Sequence, residues 1–415
     1  MVATLDRSAA FLIENNRRIL IVVLILLVAS GVVYSLYLGD NLRFLPDERD
    51  YFALAKNIAT RGAYTLDGEH PTAFRPPGYP LFLSVFFSIG ARVVHFRILN
   101  FVILGLSIYV VYKILQEVSS SFSAIVGALL VVFYPVAFFT AGTLYPQTLA
   151  SLLLLLFFYW MISKENHSYY LVLAGLSLGY LVLTVPIFVF ILPVMLVWYW
   201  RYKDTLSVKG TGLLVVVLSA ILVLGSWTAR NYFAFGSWVF VSSNSGENLL
   251  LGNSENTTPN GGSGVDISKY LSPAAHLDEI ERDKFLRGQA LKYIWEHKLQ
   301  TAKMYFLKLL NFFNFRNELV TQSEGSSLQD ILMLVTYAPL LLILSLRLLM
   351  LSVYKPVPSE VLLILIYLGS AFTNALFFTR IRFRIPSDFL LIVIAALFVE
   401  KVLSRQLKRM SFVNV

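Results

Sequence analysis

The chain has 415 residues, 57% of them hydrophobic and 14% charged, with a mean hydropathy of +0.68. These values exclude an ordinary soluble domain and fit a polytopic membrane protein. Cysteine is absent, which excludes disulfides, haem thioethers and thiolate metal sites and leaves the redox compartment open. The net charge of +9 does not point to nucleic acid, because much of the Lys/Arg lies in short linkers between apolar runs, where it acts as a topology signal.

The first apolar run, Ile19 to Leu38, follows Arg7, Arg17 and Arg18 and has no small-residue cleavage site behind it, so it reads as a retained helix. Further runs predict helices near 94–115, 122–139, 144–162, 168–184, 186–200, 212–229, 330–350, 360–378 and 387–404. A run at 79–91 is shorter than the roughly twenty residues needed to cross and reads as packed against the bundle or lying in its surface. Ten spans place both termini, with Lys113, Lys164, Arg201, Lys203, Lys209, Arg347, Lys355, Lys401, Arg405, Lys408 and Arg409, on the cytoplasmic side. Residues 39–78, 230–329 and the turn 379–388 then face the exoplasm, and the division at Val185-Pro186 joins two spans with almost no loop. The fold class is an all-α polytopic bundle forming one membrane domain over 1–415.

In the first loop, Asp47, Glu48 and Asp50 precede Tyr51, Leu54, Ala55 and Ile58, an apolar stripe at helical spacing. One reading is a capping box, with Asp47 as the cap and Asp50 in the third position. The other is chemistry: moving a sugar to a hydroxyl or amine needs a carboxylate base near the acceptor and cations that stabilise the leaving phosphate. Asp47 is then the base, and Glu48 the orienting or metal-holding neighbour. Downstream, Arg75-Pro-Pro-Gly-Tyr-Pro80 is a rigid approach to the next helix. Arg75 is either a phosphate contact or the salt-bridge partner of a loop carboxylate. Tyr79 lines an acceptor groove or belongs to an interfacial aromatic belt.

The second loop opens with Arg230, Asn231 and Tyr232 and continues through a β-rich or extended piece, Trp238–Ser242. Asn244, Asn248 and Asn253 suit sugar hydroxyls, and suit turn closure equally well. The Gly/Asn-rich stretch 256–264 reads as a mobile loop and a candidate lid. Leu277 to Lys298 reads as a charged amphipathic helix, and 304–315 as an interfacial one. The five histidines are scattered without metal-pair spacing. Arg380, Arg382 and Arg384 in the last exoplasmic turn break the positive-inside pattern; they bind an anionic lipid phosphate or pyrophosphate, or anchor to headgroups.

The order of these motifs resembles the polytopic GT-C glycosyltransferases of the dolichyl-phosphate-mannose protein mannosyltransferase superfamily, in its bacterial branch with the lipid A aminoarabinose transferases. The matching elements are Asp47, Glu48 and Tyr51 after the first span, Arg-Pro-Pro-Gly-Tyr-Pro at 75–80, and Asn-Tyr-x-x-Phe-Gly at 231–236. Ser-Gly-x-Asn-Leu-x-x-Gly-Asn at 245–253 and Arg-x-Arg-x-Pro at 382–386 complete the set. Departures are Val185-Pro186, where relatives commonly have Arg-Pro, and His297-Lys298, where they often have His-Pro.

The resemblance implies a catalytic Asp47 and a polyprenyl-phosphate-linked sugar donor, with inversion at the anomeric carbon. It places Arg382 and Arg384 near the lipid phosphate, with Arg75 and Arg380 as further phosphate-binding candidates. The implied acceptor is an envelope glycan, lipid or protein, held by bundle and loops without a large soluble C-terminal domain. The implied location is the cell membrane, the inner one in a Gram-negative cell, with the site facing outward. No cofactor is firmly expected, a divalent cation is possible, and membrane lipids but no nucleic acid are expected as partners. The competing classes are a lipid or polysaccharide transporter and a noncatalytic envelope-assembly subunit.

Overall fold

The computed structural model describes residues 14–42, 46–163, 167–205, 210–316 and 327–413, with backbone alone at Ser263, Ser327 and 406–413. Arg7, Lys164 and Lys209, and the side chains of Lys408 and Arg409, lie outside the described residues. All regular structure among the described residues is helical. The bundle begins with α1 (Asn16–Leu38), and the first loop carries α2 (Asp47–Arg61) and the short α3 (Gly78–Phe87). Then come α4 (Val93–Val118), α5 (Ser121–Val132), α6 (Pro135–Ala141), α7 (Gln147–Ile162) and α8 (Ser168–Thr184). A 3₁₀ turn at Pro186–Phe190 leads into α9 (Ile191–Tyr202) and α10 (Gly210–Phe235). The second loop folds into α11 (Ser245–Gly252), α12 (Ser268–Leu271), α13 (Glu279–Glu296) and α14 (Lys298–Phe312). The chain returns to the bundle through α15 (Ser327–Leu349), α16 (Pro358–Asn374) and α17 (Ile381–Val413).

Among the described residues, four helices are long and apolar enough to cross a membrane: α1, α4, α10 and Leu328–Leu349 of α15. A fifth candidate is the pair α5 and α6, bent by 59° where Pro135 begins the second helix. Lipid is as apolar as leucine, so close packing rather than hydrophobicity holds such helices together. Gly175 and Gly179 on α8 supply that closeness. A Cβ at Gly175 would lie 2.3 Å from the Val216 carbonyl oxygen of α10, so any side chain there would push the two backbones apart. The main core lies where α4, α5, α7, α8 and α15 to α17 meet, around the fully enclosed rings of Phe157, Phe158 and Tyr367.

Three sequence expectations change. Asp47 does not cap α2, because Pro46 occupies the cap position without a side-chain bond and Asp47 is the first helical residue. Its carboxylate is drawn away to guanidinium groups, whose charge-assisted bonds are stronger than a capping bond to neutral amides. Residues 238–242 form no strand, because the carbonyls they would offer to a ladder are taken by α10. Trp227 Nε1 donates to Val241 O (2.7 Å), Thr228 Oγ1 to Phe240 O (3.0 Å) and Asn231 Nδ2 to Val239 O (2.9 Å). The arginine turn at 379–388 is instead the entry of α17, with Arg382 and Arg384 in its first turn.

The run 245–253 is a docking platform for that entry. Asn253 Nδ2 donates to Leu376 O (2.8 Å), and Lys308 Nζ donates to both Gly252 O and Phe377 O (2.8 Å each). Burial pushes the Lys308 ammonium down to about 8. A Cβ on Gly252 would lie 1.8 Å from Phe377 O, a contact the backbone has to yield to. Gly252→Ala should therefore cost about 1–3 kcal/mol by overpacking, read as a lower thermal midpoint of the purified protein. An unchanged midpoint would show that the 376–380 segment is free to shift.

Candidate active site

The first loop and the entry of α17, far apart in sequence, meet at Asp47. Arg75 Nη2 donates to Asp47 Oδ1 and Arg382 Nη1 donates to Asp47 Oδ2, each at 2.8 Å. Arg75 also holds Asp50, through Nε (3.0 Å) and Nη2 (2.8 Å) to Oδ2. Two carboxylates thus face two guanidiniums, and the cluster is close to neutral at rest. The Asp47 side chain is 17% exposed and that of Arg382 29%, so solvent still reaches the pair.

Burial by itself would raise the Asp47 carboxyl, but the Arg382 and Arg75 charges and hydrogen bonds outweigh it and hold it below its ordinary value of 3.8. Burial works against the Arg382 charge, and Asp47, Tyr145 and Tyr51 together outweigh it, so the charge is reinforced. Aromatic faces support both cations: Arg75 lies 5.1 Å from the Phe74 ring centroid and 5.8 Å from that of Tyr51. Arg382 lies 5.0 Å from the centroids of both Tyr145 and Phe383. Arg382 Nε is buried and has no hydrogen-bond partner among the described residues, which leaves a donor available to an incoming anion.

The other expected site residues separate into supports and bystanders. Glu48 is fully buried and accepts from the Leu144 backbone N–H (2.8 Å), so it orients α2 from behind rather than lining the cleft. Tyr51 is buried, and burial pushes its hydroxyl up to about 12. Tyr79 is enclosed as well, with its ring edge-on to Tyr51 and its hydroxyl bonded by Asn100 Nδ2 (3.2 Å), so it lines no acceptor groove. Arg384 does not join the cluster. Helical geometry turns it about 200° away from Arg382. It instead meets Asp388 (3.2 Å), donates to Phe312 O (2.9 Å) and to Asn314 O, and stacks on Tyr337 at 3.5 Å.

Arg380 donates to Gly261 O (2.9 Å), and Thr379 Oγ1 donates to Pro259 O (3.3 Å), so the expected lid at 256–264 is fastened to the approach of α17. Asn253 spends its amide on backbone carbonyls, and Asn244 Oδ1 accepts from Ser242 Oγ (2.9 Å). Asn248 is half-buried on α11. Among the described residues no three His, Cys, Asp or Glu side chains converge as a metal site. Asp47 and Asp50 are committed to arginines and Glu48 points elsewhere, so the donor set does not fit a divalent cation in this arrangement.

Two organising residues had no reading in the sequence. Arg230 donates to Thr72 O (2.9 Å) and Tyr64 O (3.1 Å) and lies 4.9 Å from the Trp227 ring, which ties the end of α10 to the first loop. Glu279 accepts from Thr72 Oγ1 (2.6 Å), the Ala73 N–H (2.7 Å) and Ser243 Oγ (2.5 Å), joining both loops just upstream of Arg75. Beside this junction opens a groove of about 460 Å³. Val182, Val189 and Leu224 line it from the bundle, and Lys284 and Arg287 line it from α13.

No protein-family profile and no curated protein sequence matches the chain. Among solved structures, the apo oligosaccharyltransferase of Archaeoglobus fulgidus superposes with a TM-score of 0.52 at 13% identity, over 94% of this chain and 52% of its own. The same enzyme tethered to an acceptor peptide containing an NVT sequon gives 0.51 at 15% identity, over 92% of this chain and 50% of its own. The chain thus spans about half the length of these neighbours and has the GT-C type of membrane fold. ArnT of Cupriavidus metallidurans bound to undecaprenyl phosphate aligns more loosely, with a TM-score of 0.41 at 14% identity over 91% of this chain and 77% of its own.

Proposed function

We propose that the chain is an inverting glycosyltransferase that moves a sugar from a polyprenyl-phosphate carrier to a cell-envelope glycan, lipid or protein on the outer face of the cell membrane. The observation that carries this reading is the Arg75–Asp47–Arg382 clamp, assembled from opposite ends of a GT-C fold. In the proposed topology ten spans cross the bilayer, both termini are cytoplasmic, and the clamp faces outward. The groove beside Ser243 suits a prenyl chain along its apolar wall, with Lys284 at its edge for an anionic head, while Arg287 is paired with Asp283.

In the proposed step, an acceptor hydroxyl or amine attacks the anomeric carbon and its proton passes to Asp47. The bond from that carbon to the phosphate oxygen breaks, and the polyprenyl phosphate leaves with its charge on Arg382. Arg382 cannot serve the phosphate and Asp47 equally well. Donor binding would draw Arg382 from Asp47, and the carboxylate, having lost one of its two cations, would become a stronger base.

This exchange predicts a pH signature. The acid limb of kcat/KM, which reports the free enzyme, should lie below the ordinary carboxylate value, and the acid limb of kcat should lie at higher pH. Coincident limbs would argue against a shared arginine. The stability side has a fixed sign. A depressed carboxylate stabilises the fold above its unfolded value, and that contribution disappears as pH falls through the lower folded value. The gap in stability between wild type and Asp47→Asn should therefore close below pH 3.8.

The transfer reading is tested by mass spectrometry of envelope glycans from cells with and without the wild-type protein. A sugar present only with the wild type supports transfer, and identical glycans would sink it. A transport reading draws on the buried pairs Arg384–Asp388 and Arg347–Glu360, because charges inside a bundle often mark an ion path. The two pairs are separated by about 20 Å along α17, where Lys401 reaches Glu360. Lipid or glycan flux into proteoliposomes that survives Asp47→Asn would favour transport.

A further inference from the structure

A second cleft of about 460 Å³ lies on the folded second loop and shares no lining residue with the Asp47 cluster. A volume of this size falls in the range of small-molecule sites. One wall follows α11. Glu255 accepts from Lys269 Nζ (3.1 Å) and from the Tyr270 hydroxyl (2.7 Å), so its carboxylate is held in one orientation. The opposite wall is one face of α13, where Gln289, Lys292, Tyr293 and Glu296 follow helical spacing. At the end of the cleft the His297 ring stacks on Tyr293, with centroids 4.4 Å apart and planes within 18°.

The chemistry of the lining selects an occupant. Glu255 and Glu296 balance Lys269 and Lys292, so the cleft carries no net charge with His297 neutral and does not favour a polyanion or a polycation. Many of its polar groups are unspent. Among the described residues Gln289 makes no hydrogen bond, and Lys292 reaches Glu296 only at 4.0 Å. His297 Nδ1 sits 3.2 Å from Tyr293 O, leaving Nε2 open. Carboxylate, amide, ammonium and imidazole groups with mixed donors and acceptors match vicinal hydroxyls.

We propose that this cleft is a saccharide-binding subsite that takes non-reacting sugars of the acceptor. Its link to the clamp is structural: Glu255 follows the α11 platform that holds residues 376–377, just ahead of Arg380 and Arg382. Trp295 and Leu299, which flank Glu296–Lys298 in sequence, are exposed at 73% and 89% and suit a bilayer surface next to a glycolipid headgroup. The acceptor role rests on the transfer proposed above, whereas saccharide binding by the cleft stands independently of it.

The test applies the full-length chain in detergent to an array of defined neutral, amino-sugar and acidic oligosaccharides, with acidic peptides as competitors. Wild type and Asp47→Asn should bind the same oligosaccharides equally. The double variant Gln289→Ala/Glu296→Gln, altered only at accessible side chains, should bind them about 10-fold more weakly or worse. Competition between a free oligosaccharide and its lipid-linked form in nanodiscs separates the sources. Full competition assigns a soluble glycan, binding of the lipid-linked form alone assigns a glycolipid, and either supports the subsite. Retention of neither the free nor the lipid-linked form, equal retention by the double variant, or displacement by peptide would overturn it. Loss of cleft binding in the double variant, together with no sugar transfer by the wild type, would leave the subsite standing and remove the transfer reading.

Discussion

Asp47→Asn is expected to fold and to lower sugar transfer by about 10²–10⁴-fold, the usual contribution of a general base. The asparagine carbonyl can still accept one guanidinium bond, so the clamp keeps its shape while losing the proton acceptor and one charge. The measurement is transfer from a polyprenyl-phosphate sugar by the purified protein, alongside its thermal midpoint. A midpoint that collapses would show that Asp47 is chiefly structural, and transfer that persists in a folded variant would end its assignment as base. Arg382→Ala gives a complementary pattern, with transfer falling by about 10²–10³-fold as a cation for the leaving phosphate is lost. Excess donor should recover little of that loss, because the cation acts on charge that develops during bond breaking.

Arg384→Ala should instead fail through stability. Arg384 and Asp388 are both fully buried, and Tyr134 donates to the same Asp388 oxygen at 2.7 Å. Removing the cation strands a carboxylate in a closed interior, at a cost of about 3–5 kcal/mol. Low yield or a sharply lower midpoint is the expected result, and Arg384→Lys should not restore it, because one ammonium cannot reach Asp388, Phe312 O and Asn314 O together. The double change Arg384→Met/Asp388→Leu should recover much of the lost stability by removing both charges. A normally stable Arg384→Ala protein with weakened donor binding would return Arg384 to the phosphate site.

The elements were legible where periodicity and length speak for themselves. The apolar runs fall on helices, the division at Val185-Pro186 falls at the 3₁₀ turn, and the stripe Tyr51, Leu54, Ala55 and Ile58 lies on α2, whereas the run read as one span over 122–139 is broken at Pro135. The loop at 238–242 was not legible, because its strand-like residues lost their ladder partners to Trp227, Thr228 and Asn231, side chains in a different element. The same holds for Asn253. An amide suited to sugar hydroxyls in isolation is equally suited to the orphan carbonyl of Leu376, and only proximity decides between them.

The sequence by itself determined that this is a helical membrane chain with charged residues gathered in loops, since hydropathy and turn chemistry are local properties. It also marked Asp47, Arg75 and the arginines at 380–384 as out of place in so apolar a chain. Only the tertiary structure sorted them. Spacing along a chain does not say which way a side chain turns, and starting α17 at Ile381 sends Arg382 towards Asp47 and Arg384 into the bundle. Whether a carboxylate caps a helix, binds a cation or waits for a proton depends on the charges brought within about 4 Å of it. At Asp47 those charges come from residues 28 and 335 positions away.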